Sequence, residues 1–153
     1  MDAAKILIVD DEKFVRRTIS RVLSSEGFAT FEASNGPDAL RMAQEQSFDL
    51  MLLDIVMDGM DGFQVIRTLR DLGILLPVFV LSGRQADNDK ILALGIGADD
   101  YITKPFSTTV LCAKVKACLR RMGLSNRQRE NILSLGPFQY VCDEMRLFQD
   151  GRE

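Results

Sequence analysis

Apolar positions along this chain follow two rhythms that trade places five times. Apolar runs, as in "KILIV" at 5–9 (unbroken over "ILIV"), "LMLL" at 50–53 and "VFVL" at 78–81, alternate with stretches where apolar residues recur every three or four positions. Between 12 and 26, Phe14, Val15, Ile19, Val22 and Leu23 keep helical spacing, and Gly27 supplies a stop. The run "ATFEA" at 29–33 precedes a helix opened by Gly36-Pro37, proline being suited to a first helical turn. The run at 48–54 precedes a helical stretch at 62–71 carrying Phe63, Val65, Ile66 and Leu69, and the run at 77–82 precedes another at 87–94. "DYITK" at 100–104 precedes a fifth helix, with Ser107 as its expected cap and Val110, Leu111, Val115 and Leu119 as its apolar positions. Strand alternating with helix predicts an α/β fold: a doubly wound, five-stranded parallel sheet whose right-handed crossovers cover both faces. Strands buried on both faces read as continuous apolar runs, as these do. Open sheets of this kind bind ligands beyond the carboxyl ends of their strands, so the residues closing each run are where chemistry is expected.

The alternation stops after "LRRM". Residues 123–130, "GLSNRQRE", are polar and lack an apolar period, which predicts a linker following a first domain at 1–122. Residues 131–153 hold two extended runs separated by "CDE", then a "DG" turn signal, and predict a short C-terminal β-hairpin-like fragment. Two strands do not make an independent domain, so the chain is expected to break off inside a second one.

Composition narrows the functional classes. With 46% hydrophobic and 27% charged residues the chain has the balance of a globular protein, and 153 residues suffice for one well-packed domain. A net charge of -3 supplies no bulk attraction to nucleic acid or anionic membrane. No apolar run approaches the ~20 residues that span a bilayer. The opening "MDAAKILIVDDE" lacks the basic, apolar and small segments of a signal peptide. The absence of histidine excludes zinc sites of the usual kinds and Ser-His or Cys-His catalysis, so a divalent metal would be held by oxygen. Cys112, Cys118 and Cys142 are odd in number and form no CxxC pair, which predicts reduced thiols in a cytoplasmic protein.

The first run closes on Asp10-Asp11-Glu12, the third on Asp54, the fourth on Ser82-Gly83 and the fifth on Thr103-Lys104-Pro105. Taken singly, most have ordinary readings: Asp10-Asp11 caps a helix, Ser82 turns the chain, Lys104 is a solvated surface lysine. Asp54 resists one, because it ends "LMLLD" where a core strand emerges, and a buried ionised carboxylate needs a partner. Joint placement at successive strand ends brings three carboxylates, a hydroxyl and a lysine to one cleft. Two carboxylates ~4 Å apart repel by about 4 kcal/mol at an effective dielectric of about 20. An oxygen-bound divalent cation removes that repulsion, and Mg2+ is suited to one or two carboxylates and a phosphoryl oxygen. With Lys104 as a second positive charge and Ser82 as a donor, the set meets the needs of phosphoryl transfer to Asp54.

Residues 1 to about 122 resemble the receiver domain of two-component response regulators, through "LIVDDE", "DLMLLDIVMDGMDG", "VLSGR", "GADDYITKPF" and the concluding "LRR". The resemblance implies a flavodoxin-like (CheY-like) fold and Asp54 as phospho-acceptor for a sensor histidine kinase. It implies Asp11, Asp54 and the Val56 backbone carbonyl as direct Mg2+ ligands, with Asp10 acting through a bound water. Ser82 and Lys104 would contact the phosphoryl oxygens. Tyr101 matches the switch aromatic that turns inward when Ser82 moves, against an ordinary role as a half-buried strand aromatic. A cis Lys104–Pro105 bond is also implied. "GADDYITKPFS" and the tail resemble the winged-helix transcription-factor subfamily related to OmpR and PhoB. Residues 131–153 would then open a DNA-binding domain whose recognition helix lies beyond Glu153. DNA is reached only through that missing part, and Arg120, Arg121, Arg127 and Arg129 read as helix-end and linker charges. Phosphorylation is expected to shift the face built from 87–94, 100–103 and 107–121. On that face Lys90, Asp99, Asp100, Lys114 and Arg121 match positions that pair two copies as a homodimer.

Departures from the family pattern are local. Met57-Asp58 replaces the frequent Met-Pro, Ser82-Gly83 replaces the commoner Thr-Ala, and Val110 stands where an acidic partner is usual. Val56 and Arg84 flank the route of attacking water. The expected protein is a transcription-regulating phospho-acceptor switch, with no enzymatic role beyond weak self-phosphorylation and autodephosphorylation and no membrane partner. One alternative is a stand-alone receiver acting as an interaction adaptor through its tail. Another is a Mg2+-dependent phosphatase with an aspartyl nucleophile, which usually needs an acid two residues further on, where this chain has Val56. A nucleotide or flavin site has little support, since no GxGxxG or P-loop follows the first run.

Overall fold

The computed structural model describes residues 3–57, 59–83 and 87–123. Asp58, Arg84, the linker from 124 and the expected fragment at 131–153 lie outside the described residues. Ten elements alternate: β1 (Lys5–Val9), α1 (Lys13–Ser25), β2 (Ala29–Ala33), α2 (Gly36–Glu45), β3 (Leu50–Asp54), α3 (Gly62–Asp71), β4 (Val78–Ser82), α4 (Asp87–Gly95), β5 (Asp100–Thr103) and α5 (Thr108–Arg121). The strands form one sheet in the order β2-β1-β3-β4-β5, every neighbouring pair parallel. The order reverses between β1 and β3. The connections leaving their carboxyl ends therefore run to opposite faces of the sheet and open a crevice.

The apolar runs behave as doubly covered strands must. All five residues of β3 and of β4 are buried, whereas the edge strand β2 is mostly half-buried. Leu7, Val9, Met51, Leu53, Val78 and Val80 share one cluster with Leu40 of α2, Val65, Ile66 and Leu69 of α3 and Ala93 of α4. The intervening strand residues Ile6, Ile8, Leu50, Leu52, Phe79 and Leu81 are also buried, and a two-residue period turns them to the opposite face. α1 and α5 contribute nothing to the first cluster and bury Ile19, Leu23, Leu111 and Val115 instead. Burying one such aliphatic side chain contributes ~1.5–3 kcal/mol, so both faces of the sheet are held by packing.

Among the described residues, three helices start on side-chain caps. Asn35 accepts from the Asp38 amide at 2.8 Å ahead of α2, with Pro37 in the first turn. Asp61 and Gln64 form a reciprocal capping box on α3, both bonds 3.0 Å. Ser107 accepts from the Val110 amide at 3.3 Å, as expected for α5. α1 differs. Its N-cap is Glu12, whose side chain makes no cap bond, so Asp10 and Asp11 precede the helix rather than cap it. β3 begins at Leu50 rather than 48, because Phe48 packs edge-on against Phe31 at 5.3 Å and the Asp49 carboxylate accepts the Lys5 amide at 2.8 Å.

Candidate functional site

Three strand ends and one turn build an acidic pocket at the crevice. Asp10 is the first residue after β1, Asp11 the second, and Asp54 is the last residue of β3. Asp10 and Asp54 are buried and Asp11 is exposed. Oxygens from the three carboxylates all lie within 4.8 Å of one another. Lys104, following β5, points its ammonium at the same place, 3.1 Å from Asp10 Oδ2 and 3.7 Å from Asp54 Oδ2. The remaining oxygens are held by backbone donors: the Glu12 amide on Asp10 Oδ1 at 2.9 Å and the Val56 amide on Asp54 Oδ1 at 3.3 Å. The cleft, of about 530 Å³, is lined by Asp11, Glu12, Asp54, Val56, Gly83 and Lys104.

Glycine decides how closely α3 approaches Asp54. The Gly62 amide donates to the Ile55 carbonyl at 2.9 Å, and a Cβ at Gly62 would stand 2.7 Å from Ile55 Cα and 2.9 Å from the Asp54 carbonyl oxygen. Both are backbone atoms with no room to yield. Gly59 turns the preceding loop at φ +84°, a conformation that costs other residues energy.

One lysine does not balance three carboxylates. Burial pushes the Asp54 carboxyl up to about 6; the Lys104 ammonium and the Val56 amide oppose the rise, and the charges of Asp10 and Asp11 add to it. An open, all-carboxylate donor set with surplus negative charge fits a hard divalent cation.

The pocket thus gathers Asp10, Asp11, Asp54 and Lys104 and puts Val56, half-exposed, on its wall. Ser82 ends β4 fully buried; its carbonyl accepts the Lys104 amide at 2.7 Å, and Gly83 rather than Ser82 lines the cleft. The Lys104–Pro105 bond is cis. Tyr101 is half-buried and packs against the main core cluster. On the outer face the Asp100 carboxylate pairs with Lys114 at 3.1 Å, while Asp99 accepts the Val78 amide at 2.9 Å and lies 3.6 Å from Arg70. Lys90 is half-buried and Arg121 is exposed in the last turn of α5.

Two arginines escaped the sequence reading. Arg16 donates to the Asp10 carbonyl at 2.8 Å, and Arg70 to the carbonyls of Ile74, Leu76 and Gly97. The acceptors in these bonds are main-chain atoms, which no side-chain motif announces. The available clue was Arg16 lying three positions before the buried Ile19, on the inward side of α1.

A 2-1-3-4-5 parallel sheet with three carboxylates and a lysine at its switch point defines a receiver-type domain. Residues 6–116 match the response regulator receiver domain model, and the chain belongs to that family. Receiver domains bind Mg2+ at an acidic pocket and interact with histidine kinases; the Asp10, Asp11 and Asp54 cluster is the acidic pocket of this one. Among curated proteins it is 35% identical over 149 residues to the alkaline phosphatase synthesis transcriptional regulatory protein PhoP of Bacillus subtilis. That alignment covers 97% of this chain and 62% of PhoP, so the chain spans less than two thirds of that relative. Among solved structures, the receiver domain of the Francisella response regulator 1452 is 33% identical, with a TM-score of 0.75 over 78% of this chain and 98% of that one. A two-component response regulator from Clostridium difficile is 32% identical, with the same TM-score and the same coverages. Among the described residues, no helix is long and apolar enough to cross a membrane.

Proposed function

We propose that this chain is the phospho-acceptor switch of a transcription-regulating two-component system, taking a phosphoryl group from a sensor histidine kinase onto Asp54. The observation that carries this reading is the Asp54 carboxylate closing a fully buried strand beside Asp10, Asp11 and Lys104. An Asp54 oxygen attacks phosphorus, a P–O bond forms, and the bond from phosphorus to the donor's histidine nitrogen breaks, leaving an acyl phosphate. Asp54 meets the requirement for a nucleophile because at neutral pH its carboxyl, at about 6, is mostly ionised.

Asp11, Asp54 and the Val56 carbonyl would hold Mg2+ directly and Asp10 through a water; when bound, the ion neutralises the carboxylates and the incoming phosphoryl oxygens. Lys104, already between Asp10 and Asp54, supplies a fixed positive charge to the new group. Ser82 supplies a hydroxyl donor from the end of β4, one residue before the cleft wall. Phosphorylation replaces one carboxylate charge by a dianionic group, which pulls on Ser82 and biases Tyr101 and the face of α4, β5 and α5. That face then pairs two copies through Lys90, Asp99, Asp100, Lys114 and Arg121. The chain is a switch in the cytoplasm rather than a turnover enzyme, with only slow self-phosphorylation and loss of the phosphoryl group. Transcriptional output is supported by the PhoP relative, and any DNA contact is proposed for a winged-helix domain rather than for the receiver.

Intact-mass analysis after acetyl phosphate and Mg2+ tests the reading. Wild type is expected to gain one phosphoryl group and Asp54→Asn none. Equal labelling of both would move the acceptor elsewhere.

A further inference from the structure

We infer that Arg16 is a positioning residue for the cation site: it fixes the backbone of Asp10, and with it the aim of the Asp10 and Asp11 carboxylates. The inference rests on the acceptor reading above. The turn between β1 and α1 has no side-chain cap from Glu12; the Asp10 carboxylate holds the Glu12 amide, and so the turn depends on how the Asp10 backbone is itself held. The Asp10 amide donates to the Ala33 carbonyl at 3.2 Å, extending the pairing of β1 with β2 by one residue. The Asp10 carbonyl, at the end of the sheet, accepts from Arg16 Nη1 at 2.8 Å. The same guanidinium donates from Nε to Glu32 of β2 at 2.9 Å, with its side chain only 13% exposed. One planar group therefore ties the first turns of α1 to the ends of β1 and β2, a two-point grip that a lysine cannot reproduce.

The grip reaches the site through Asp10. Its two carboxylate oxygens take donors from different places, the Glu12 amide and the Lys104 ammonium, so their direction depends on where the Asp10 backbone is held. Asp11 follows on the same turn.

Sign separates this role from the two ordinary ones. A guanidinium near an acidic pocket repels a cation, so a purely electrostatic Arg16 predicts tighter Mg2+ binding when the charge is removed. A purely structural Arg16 predicts lower stability and unchanged affinity in the folded protein. Positioning predicts weaker binding.

Mg2+ titration of the full chain, followed by the amide NMR shifts of Asp10, Asp11 and Glu12 well below the melting temperature, distinguishes the three. Arg16→Met is expected to weaken binding about tenfold or more, the range for residues that orient metal ligands being ~10–100-fold. Arg16→Lys should recover part of the loss. Arg17 lies 3.7 Å from the same Glu32 but is 59% exposed, so Arg17→Met removes a like charge and should leave affinity unchanged or slightly tighter. An Arg16→Met protein that binds Mg2+ as tightly as wild type, or more tightly, overturns the inference and leaves the acceptor reading intact. If Arg16→Met does not fold, Glu32→Ala removes the acceptor of Arg16 Nε, whereas Glu32→Gln removes the same charge and keeps an accepting oxygen; Glu32→Ala should bind Mg2+ more weakly than Glu32→Gln, and equal affinities overturn the inference. A wild type that binds no Mg2+ overturns the acceptor reading and this inference with it.

Discussion

At Asp54 the usual linkage between pH and stability runs backwards for a carboxylate. Its carboxyl titrates at about 6 in the fold against an ordinary value of 3.8, chiefly because it is buried, with Lys104 opposing and Asp10 and Asp11 adding repulsion. Between those two values the native state keeps a proton that the unfolded chain has released, so stability falls as pH rises through this window and is level above it. A two-unit shift corresponds to about 3 kcal/mol; screening by the open cleft reduces that to about 1–2 kcal/mol. Asp54→Asn in EDTA is therefore expected to be more stable than wild type at pH 7.5 by about that amount, with the advantage shrinking toward pH 4.5. Millimolar Mg2+ should raise the wild-type Tm at pH 7.5 and barely move that of Asp54→Asn, because a ligand stabilises only the state that binds it. Urea titrations and melting curves at the two pH values check both statements; a pH-independent difference would mean that the Asp54 charge is not what destabilises the site. The need for partners around Asp54 was legible in "LMLLD", and so was the lysine, since each closes a strand. That Ser82 would end β4 fully buried was not legible, because the burial of a strand's last residue depends on packing that only the folded sheet sets.

Elements were more legible than the contacts between them. The runs 5–9 and 29–33 became strands with the expected bounds, and those at 48–54, 77–82 and 100–104 lost one or two terminal residues. Burial on both faces makes the runs of β1, β3 and β4 unmistakable, while strand ends depend on side-chain tasks such as those of Phe48 and Asp49. Gly62, the last glycine of "DGMDG", has a duty that spacing does not encode. Gly62 starts α3 against the backbone of Asp54 and Ile55, and this proximity arises only once β3 and α3 are packed. Gly62→Ala is expected to destabilise the fold by about 1–3 kcal/mol, the usual range for overpacking. Because the displaced atoms include the Asp54 carbonyl, it should also slow labelling by acetyl phosphate. A helix-propensity view predicts the opposite sign, since alanine favours helix over glycine by ~1 kcal/mol. Urea unfolding of the variant decides between them: a stabilised Gly62→Ala would mean that α3 can retreat from Asp54 freely.

Across the whole molecule, the site and the proposed output face meet at β5, which is followed by Lys104, and in the proposed switch a change in charge at that end of the sheet joins them. On the face of α4, β5 and α5, the acids expected to pair two copies already have partners within the chain: Lys114 for Asp100, and Arg70 with the Val78 amide for Asp99. Ile91, Leu94 and Val110 are exposed there at 68%, 49% and 48%. Exchanging one exposed ion pair for another changes stability by only ~0–1 kcal/mol, so apolar burial must supply most of any association. In the proposed dimer Val110 takes the place of the usual acidic partner of a lysine, which we assign to Lys90, and with two-fold symmetry one substitution creates the contact twice. Val110→Glu should therefore tighten the phosphorylated dimer through two contacts between Lys90 and the introduced carboxylate, each worth up to ~1 kcal/mol, less the apolar area lost with the valine. Salt dependence identifies the cause. The gain should be several-fold at low ionic strength and vanish near ~1 M salt, where the screening length is only ~3 Å. Sedimentation of the acetyl phosphate-treated proteins at both salt concentrations reads the result. A Val110→Glu dimer that is no tighter at low salt than wild type would mean that Lys90 does not face position 110 across the two-fold axis, and that this chain pairs its copies by another surface.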